Sequence, residues 1–339
     1  MLNRVLRARA LLAVALSAAL ALAACGAADR GGGSSSGEAG AFGASRVSIM
    51  APADPGGGWD ETARALQKTA RDAKLAKGIE VYNVPGAGGT IGLSQLVTKH
   101  DGEAGQLMVM GLVMLGAIET NRSAVDLSKV TPIAKLTEES EAIVVPAESK
   151  YTSLKQLVSD LKQNPARVPF AGGSAGGTDQ LLLGLLAKAV GVDPRKTKYV
   201  AYSGGGEAKA AILSGSVAAG ISGVSEFADQ IAAGKMRLLA VSSPNVTVDG
   251  KTAPTIKDQG YEVEITNWRG VVGPPGLSAA EQQQAVDWVR KLHDSPQWKQ
   301  ALERFAWTDA FSAGDQFKQF LASERTRVKQ VVTDLGLNA

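Results

Sequence analysis

The chain has 339 residues, with 36 Lys or Arg against 33 Asp or Glu, 39 Gly, two His and a single Cys. Arg4, Arg7 and Arg9 at the N-terminus account for the whole basic excess, so the balanced remainder excludes a polyanionic partner such as nucleic acid. One cysteine excludes an intramolecular disulfide. Two distant histidines and that cysteine provide no cluster for a metal, and we expect no metal and no cofactor.

The N-terminus has the pattern of an export signal. A basic patch at 4–9 precedes an apolar run at 10–24 that is interrupted only by Ser17 and is shorter than the ~20 residues that span a bilayer. The run ends in Leu-Ala-Ala before Cys25, which resembles a bacterial lipobox. We therefore expect residues 1–24 to be a lipoprotein signal peptide and Cys25 to carry the lipid. An ordinary signal peptide with an accidental cysteine is the alternative.

Residues 25–44 are rich in Gly, Ser and Ala and predict a flexible tether, because they cannot bury enough apolar surface to order themselves. No later segment reaches about 20 apolar residues, so the sequence predicts no transmembrane helix. The body beyond the tether is long enough for two domains.

The first third of the body alternates strands and helices. Apolar residues at spacings of two and of three to four predict strands at 46–51, 79–84 and 107–111 and helices that begin at Asp60 and Thr90. Glycine-rich breaks separate each strand from the helix that follows. This repetition predicts a parallel α/β sheet.

The middle of the chain repeats the same alternation. A capping-box spacing predicts a helix after Ser153, and a second one predicts a helix after Ser278. The remaining predicted elements are strands at 168–171, 198–202, 217–221, 237–241 and 270–273, and helices at 178–190 and 207–213.

Four glycine turns follow strands and precede helices, at 56–58, 86–89, 172–177 and 204–206. Glycine permits tight turns and a close approach of ligand to backbone. A helix N-terminus exposes free N–H groups and a partial positive charge, so several such ends at one cleft would bind an anion without any arginine. The alternative is that these are only tight turns between strand and helix.

Two sharper motifs compete with that interpretation. Residues 86–91 nearly fit the dinucleotide-binding pattern G-x-G-x-x-G but have Ile91 at the last glycine. Residues 172–176 match G-x-S-x-G and suggest a secreted serine esterase that uses Ser174. The esterase also needs a base, and only His293 follows in the required order.

Seven stretches together resemble the extracytoplasmic solute receptors of tripartite tricarboxylate transporters, also called Bug receptors. The resemblance runs from about Arg46 to the C-terminal region, and residues 83–92 (Asn-Val-Pro-Gly-Ala-Gly-Gly-Thr-Ile-Gly) are its most specific part. The other stretches are 52–60 with Arg64, 131–133, 202–206, 234–241, 253–255, and 268–270 with 274–276.

The resemblance implies an α/β, two-lobe periplasmic-binding-protein fold with a ligand cleft between the lobes. We expect the first lobe to comprise 45–145 and a return segment at 269–339, and the second lobe to comprise 146–268. The chain is expected to cross between lobes near 143–146 and to return near 268–272. Ligand binding is expected to close the cleft by a hinge motion.

The resemblance also implies capture of a small carboxylate, a tricarboxylate or a dicarboxylate, largely by backbone N–H groups and ordered water at the first two loops. We place the carboxylate against the N–H groups of 57–58 and 88–90, and we expect Gly88→Val to abolish binding in a folded protein. The predicted ligand-binding residues are Gly56, Gly57, Gly58, Trp59, Asp60, Gly86, Ala87, Gly88, Gly89, Thr90, Ser174, Gly177, Thr178, Asp179, Tyr202, Gly204 and Gly205.

Two positions bear on the ligand class. The family often has an acidic residue where this chain has Ala218, which changes the expected far end of the site. Trp59 resembles the tricarboxylate-type subgroup, and its alternative role is that of a packing aromatic.

The function expected from the sequence is that of a lipid-anchored extracytoplasmic receptor, not an enzyme. It is expected to act as a monomer, held on the outer face of the cell membrane by the lipid on Cys25, and to deliver its ligand to integral-membrane transporter subunits. A carboxylate-sensing receptor without transport is a further alternative.

Overall fold

The computed structural model describes Phe42, residues 46–202 and residues 205–338. The predictions for residues 1–24, for Cys25 and for Gly204 lie outside the described residues, and only Phe42 of the predicted tether lies within them.

The first part of the body follows the predicted alternation closely, with each boundary within two residues of the expected one. Its elements are β1 (Arg46–Ala51), α1 (Gly58–Asp72), β2 (Gly78–Asn83), α2 (Thr90–Lys99) and β3 (Gln106–Gly111). Two elements that the sequence analysis did not predict come next, the apolar helix α3 (Leu112–Thr120) and the long strand β4 (Thr131–Pro146).

The middle part adds four strands and four helices. In chain order these are α4 (Leu154–Gln163), β5 (Pro169–Gly172), α5 (Thr178–Ala189), β6 (Lys198–Ala201), α6 (Gly205–Leu213), β7 (Ala219–Gly223), α7 (Val224–Ala232) and β8 (Met236–Val241). Of these eight elements, α7 was not predicted from the sequence.

The last part returns to the first sheet region. It contains a small hairpin of β9 (Thr247–Val248) and β10 (Lys251–Thr252), then β11 (Thr266–Gly273), α8 (Ala279–His293), α9 (Pro296–Phe305), β12 (Thr308–Ala313) and α10 (Asp315–Asp334). The capping box at Ser278 and Glu281 is present at the start of α8. At α4 only half of the capping box forms. The Ser153 hydroxyl accepts from the Gln156 N–H, but the Gln156 side-chain Oε1 accepts from the Thr152 N–H instead of the Ser153 N–H.

The sheet is mixed rather than parallel. Its path runs β2-β1-β3-β11-β4-β7-β5-β6, with β12 and β8 also paired to β4. β1 is parallel to β2 and β3, and β5 is parallel to β6 and β7, as predicted. The prediction is wrong at the centre, where β11 and β4 pair antiparallel to each other and to their neighbours.

β4 joins the two blocks of parallel strands. Its first ten residues pair with β11, partly also with β12, whereas Glu141 to Pro146 pair with β7 and β8. Both halves are buried, and the buried residues include Glu139 and Glu141. Charged residues in the middle of an apolar pattern hid this strand from the sequence analysis, because buried strands ordinarily consist of apolar residues.

Buried apolar side chains line both faces of the sheet. A large cluster contains Ile49, Leu66, Leu107 and Trp268, and a smaller cluster contains Val144 and other side chains of β4, α6, α7 and β8. Among the described residues, no helix is long and apolar enough to cross a membrane.

Candidate functional site

A cavity of about 270 Å³ lies where the glycine turns at 56–58, 86–89 and 172–177 meet. Its lining includes the loop before α1, the loop before α2 and the loop before α5, together with side chains of β11 and the start of α7. Loops at the carboxyl ends of parallel strands are where α/β folds bind ligands, and a volume of this size suits a small molecule.

The loop before α1 is shaped by the Asp60 carboxylate. One oxygen of Asp60 accepts from the Gly56 N–H (2.9 Å) and the Arg64 Nε–H (2.8 Å), and the other accepts from Asn83 Nδ2 (2.9 Å). Burial opposes ionisation of Asp60, but these hydrogen bonds outweigh it and lower its pKa. Asp60 and Gly56 therefore hold the loop in shape and do not line the cavity, whereas Gly57, Gly58 and Trp59 do line it.

The loop before α2 contains four consecutive residues with positive φ, Gly86 (122°), Ala87 (50°), Gly88 (60°) and Gly89 (88°). Side chains are rarely tolerated in this conformation, which explains the three glycines. The loop is held from below, since Asn121 Nδ2 donates to the Ala87 carbonyl (3.0 Å) and a Cβ on Gly89 would lie 2.5 Å from the Trp59 ring. Trp59, in the first turn of α1, therefore packs the loop before α1 against the loop before α2. It is 7% exposed, and it also lines the cavity.

Some of the backbone donors predicted for the carboxylate are already used. The Gly57 N–H donates to the Asp54 carbonyl (3.4 Å), and the Gly89 N–H donates to the Gly86 carbonyl (3.0 Å). The Thr90 N–H donates to the Ala87 carbonyl, and Thr90 does not line the cavity. Of the five predicted donors, the N–H groups of Gly58 and Gly88 have no acceptor among the described residues.

The expected role of bulk at Gly88 is also corrected. A Cβ on Gly88 would lie 2.4 Å from Ala117 Cβ in α3, so Gly88→Val would collide with the packing beneath the loop. The substitution therefore tests the fold of the loop and does not report cleanly on ligand access.

The loop before α5 contributes Ser174 to the cavity, the start of α5 contributes Asp179, and Tyr202, directly after β6, also lines it. Asp179 lies in the first turn of α5, and its carboxylate accepts from the Gly173 N–H. Thr178 is fully buried behind it and does not line the cavity. Gly177, the N-cap of α5, lies outside the lining as well, and Gly205 is the first residue of α6.

A buried ion pair lies under the first loop. Arg269 Nη2 on β11 donates to Glu139 Oε2 on β4 (2.6 Å), and both side chains are at most 2% exposed. The other Glu139 oxygen accepts from the Ser225 N–H (2.9 Å) and from the Ser225 hydroxyl at the start of α7. The guanidinium lies directly against Gly58, where a Cβ would be 2.6 Å from Nη2. Gly58 is therefore required by this close approach.

Further carboxyls surround this ion pair. Burial, and then the charges of Asp179 and Glu139, raise the pKa of Glu141 well above its ordinary value, and burial raises the pKa of Asp179 to about 6. Burial, and then Glu139 and Asp179, raise the pKa of Glu226 to about 8. Arg269 is the only cation that lines the described part of the cavity. The site therefore holds protons that ordinary carboxyls would release near neutral pH.

Apart from Asp179, the charged residues of this site were not predicted from the sequence. The other loops of the site were predicted because each lies between the end of a strand and the start of a helix. Glu226 lies at such a junction, since β7 ends at Gly223 and α7 begins at Val224, so the same rule would have found it. Arg269 and Asn267 lie on β11, next to the stretch 268–270 that carried the family resemblance. Nothing in the local pattern identified Glu139 or Glu141, because their strand was not predicted.

Ser174 has no histidine beside it. His100 Nδ1 lies 2.8 Å from Glu103, His293 Nε2 lies 3.0 Å from Asp309, and neither histidine lines the cavity. A serine nucleophile needs a base within hydrogen-bond reach, so the described residues do not form the esterase site that residues 172–176 suggested.

The comparisons with known proteins agree with the geometry. Residues 62–337 match the family described as the tripartite tricarboxylate transporter family receptor. The chain belongs to this family. It is 28% identical over 301 residues to protein BugT of Bordetella pertussis, covering 86% of this chain and 89% of that protein. It is 27% identical over 283 residues to a UPF0065 protein of Cupriavidus necator, covering 83% and 85%.

Solved structures of receptors of this kind share the fold. The periplasmic binding protein BugD is 20% identical with a TM-score of 0.77, covering 86% of this chain and 98% of that one. MatC of Rhodopseudomonas palustris, solved with bound malate, is 21% identical with a TM-score of 0.74, covering 85% and 99%. The predicted α/β two-lobe periplasmic-binding-protein fold is confirmed. The family consists of extracytoplasmic solute receptors rather than enzymes, so the esterase alternative is wrong.

Proposed function

We propose that this protein captures a small dicarboxylate or tricarboxylate in the cavity beneath its glycine loops and delivers it to the membrane subunits of a tripartite transporter. The observation that carries the proposal is that two glycine loops, each opening a helix, place Gly58 and Gly88 in the lining of one cavity, and that the N–H groups of these two residues have no acceptor among the described residues. Such groups bind carboxylate oxygens by charge-assisted hydrogen bonds.

Family membership supports the same function, since the receptors of this family serve tricarboxylate transporters by description. Two of the similar structures were solved with carboxylates, MatC with malate and a second Rhodopseudomonas palustris protein with adipate. These ligands are dicarboxylates. They define the panel with which the protein should first be tested.

The deciding experiment is a thermal-shift screen of the purified protein with succinate, malate, adipate and citrate, each against sodium sulfate at equal ionic strength. A ligand at about 100 times its Kd stabilises the native state by about 2.7 kcal/mol, which raises the melting temperature measurably. A saturable shift with one or more carboxylates is expected. Equal shifts with sulfate and every carboxylate would contradict the proposal.

We also propose that the protein is anchored by a lipid on Cys25 after removal of residues 1–24. The order of basic patch, short apolar run, small residues and cysteine supports this. Cys25→Ser is expected to release the protein from membranes or to leave the leader uncleaved, as read by fractionation and intact mass. Unchanged processing and membrane association would contradict it.

The cleft is proposed to close around the ligand by bending where β4 changes partners, near Ser140 and Glu141, a few residues before the predicted crossing at 143–146. β11, which pairs with both β3 and β4, carries the return. Small-angle scattering should show compaction with a ligand that the thermal screen has identified. An unchanged radius of gyration at saturation would count against closure.

A further inference from the structure

One buried acid behind the cavity wall has no role in the binding scheme described so far. Glu141 on β4 is fully buried, and neither of its side-chain oxygens has a hydrogen-bond partner among the described residues. An ionised carboxylate without donors is strongly unfavourable inside a protein. Glu141 must therefore hold a proton, and a buried proton donor needs an acceptor.

The nearby cation does not balance Glu141 directly. Arg269 Nη2 donates to Glu139 at 2.6 Å, and Nη1 of the same guanidinium has no acceptor among the described residues. Since Nη1 and the Glu141 oxygens all lack partners, they are not bonded to each other, and Arg269 acts on Glu141 only through its charge. The other charged groups that face Glu141 are acids: Asp179 on α5, Glu139 on β4 and Glu226 on α7.

Asp179 is the acid that lies within hydrogen-bonding reach of Glu141. Two ionised carboxylates are both acceptors, so their contact becomes a hydrogen bond only when they share a proton. Asp179 is the better acceptor of the two, because the Gly173 N–H already donates to it. Burial, and then the charge of Asp179, raise the pKa of Glu141 well above its ordinary value. The shared proton therefore belongs to Glu141, and Asp179 is the ionised partner.

Asp179 in turn holds a loop that lines the cavity. Its carboxylate accepts from the Gly173 N–H, and one residue further on the Ser174 carbonyl accepts from the Tyr199 hydroxyl (3.0 Å). Gly172 leaves room for this arrangement, since a Cβ there would lie 2.7 Å from Asp179 Cβ and 2.8 Å from its Oδ2. Gly173, Ser174 and Asp179 all line the cavity. The position of these lining groups therefore depends on the direction of the Asp179 side chain.

The backbone of Glu141 is fixed at the point where β4 changes partners. Its N–H donates to the Ser242 hydroxyl (2.9 Å), its carbonyl accepts from the Ser242 N–H (2.9 Å), and it pairs with Gly223 on β7. The preceding part of β4 pairs with β11, and the following part pairs with β7 and β8. A hydrogen bond from Glu141 to Asp179 connects this point of the sheet to the loop before α5.

We propose that Glu141 is a positioning residue for ligand binding, whose protonated carboxyl donates to the Asp179 carboxylate and so holds the 172–174 loop in place at the cavity. Glu141 does not line the cavity, so it acts on the ligand only through Asp179. An ionised Glu141 would instead repel Asp179 and release the loop. The inference rests on the proposed function, because it assigns a further residue to the same carboxylate site.

The proton can be observed without any ligand. In purified protein labelled with ¹³C at the glutamate carboxyls, NMR at pH 7 should show a protonated side chain whose resonance is lost in Glu141→Gln. Its loss in this variant distinguishes it from Glu226, whose pKa is also raised. Glu148→Gln is the matched control, because Glu148 is exposed just after β4, and it should retain the resonance. If Glu141→Gln removes no protonated resonance, the proposal is overturned.

Two substitutions separate the hydrogen bond from the volume of the side chain. Glu141→Gln keeps an N–H donor for Asp179, whereas Glu141→Leu removes the donor. Calorimetry at pH 7 with succinate, malate and citrate should give Glu141→Gln an affinity within about twofold of wild type for each acid that binds. Glu141→Leu should bind about tenfold more weakly, the scale of one hydrogen bond to a charged group.

Hydrogen exchange of the Gly173 N–H reports on the loop itself. The exchange should be slow in wild type and in Glu141→Gln and at least about tenfold faster in Glu141→Leu, while core amides stay protected and show that the variant is folded. Wild-type affinity in a folded Glu141→Leu would overturn the proposal, and so would equally weak binding by the Leu and Gln variants.

The outcomes also separate this inference from the receptor function. Absence of binding by any of the three acids to the wild type contradicts the receptor function, and the carboxyl resonance and the Gly173 exchange then decide whether Glu141 holds the loop. If Glu141→Leu does not fold, the carboxyl resonance and the affinity of Glu141→Gln decide the proposal. A Glu141→Gln variant that is folded and binds more than about tenfold more weakly than wild type would contradict it.

Discussion

The glycine side of the cavity consists of Gly58 and the 86–89 loop, which offer backbone N–H groups and carry no charged side chain of their own. On the other side the chain presents Asp179 and Glu226, with Glu139 and Glu141 behind them. The first side needs glycine because its backbone must come close to its neighbours and adopt positive φ. The second side needs a buried cation, because several acids packed together are unstable without one.

The two sides therefore depend on different forces. The glycine side depends on steric fit, so its weak points are positions where a methyl group has no room. The acidic side depends on charge balance, so its weak points are Arg269 and the protons held by the acids. The four predictions that follow separate these forces, in order of decreasing effect.

Removal of the central cation should have the largest effect. Arg269→Ala leaves Glu139 buried without its partner and removes the charge that offsets Glu226, Glu61 and Glu141. We expect a loss of about 3–5 kcal/mol in the free energy of unfolding, measured by urea at pH 7.5. The loss should shrink toward pH 5 as the acids take up protons.

A matched control is Arg46→Ala, which removes an ion pair with Glu80 in which both side chains are exposed. Its cost should stay below about 1 kcal/mol. If Arg269→Ala also cost so little, the acids would not depend on this cation and the charge-balance account would be wrong.

On the glycine side, the added methyl group of Gly89→Ala should lower the free energy of unfolding. Its Cβ would lie 2.5 Å from the Trp59 ring and 2.9 Å from Met114 Cε, at a φ of +88°. Strain at positive φ and overpacking together should cost about 2 kcal/mol or more in unfolding free energy.

Gly57→Ala is the control on the same side of the cavity, because φ is −87° there and the added Cβ meets only the Asp54 carbonyl at 3.6 Å. It should change stability by less than about 0.5 kcal/mol, within the usual range of harmless substitutions. Equal losses of unfolding free energy for the two variants would show that the space around each glycine does not decide which positions require glycine.

The third prediction concerns protons on the acidic side. The folded-state pKa of Glu226 is about 8, above its ordinary value of 4.5, so the native state binds a proton that the unfolded state has lost. Stability from this group is present at low pH and is lost as pH rises toward 8. Glu226→Gln should therefore lose less stability than wild type between pH 6 and 8, by on the order of 1 kcal/mol after allowance for partial exposure.

Urea unfolding at pH 6, 7 and 8 measures this difference, and Glu264→Gln should follow the wild-type slope because its carboxyl is exposed. A wild-type slope for Glu226→Gln would mean that Glu226 is ionised at neutral pH. Asp179, with a pKa of about 6, adds a smaller loss in the lower part of the same interval, with the same sign.

The two sides also differ in how well the sequence predicts them. Glycine turns, helix starts and the strands of both parallel blocks follow local rules, so the loops at 56–58 and 86–89 could be found from the sequence. β4 could not, because Glu139 and Glu141 are buried only through the distant partners Arg269 and Ser225 and through retained protons. No window of sequence around residue 139 contains that information.

The same reason explains why some of the predicted residues lie outside the cavity lining. Asp60 and Thr178 lie beside the correct loops, yet one organises its loop and the other faces the core. A spacing pattern places a residue on a loop, but the direction of its side chain depends on packing with elements far along the chain.

The smallest effects come from two hydroxyl groups that the sequence analysis treated alike. Ser174 lines the cavity, so Ser174→Ala should weaken carboxylate binding by about 0.5–1.5 kcal/mol, or up to about 3 if the ligand group is charged, with little change in stability. Thr178 is fully buried, and its Oγ1 has no partner among the described residues. Thr178→Val keeps the shape, removes that unsatisfied hydroxyl and should raise stability by up to about 1 kcal/mol without changing affinity. Calorimetry and urea unfolding on both variants distinguish the roles. A weaker affinity in Thr178→Val would place its hydroxyl in the binding site, and an unchanged affinity in Ser174→Ala would remove Ser174 from it.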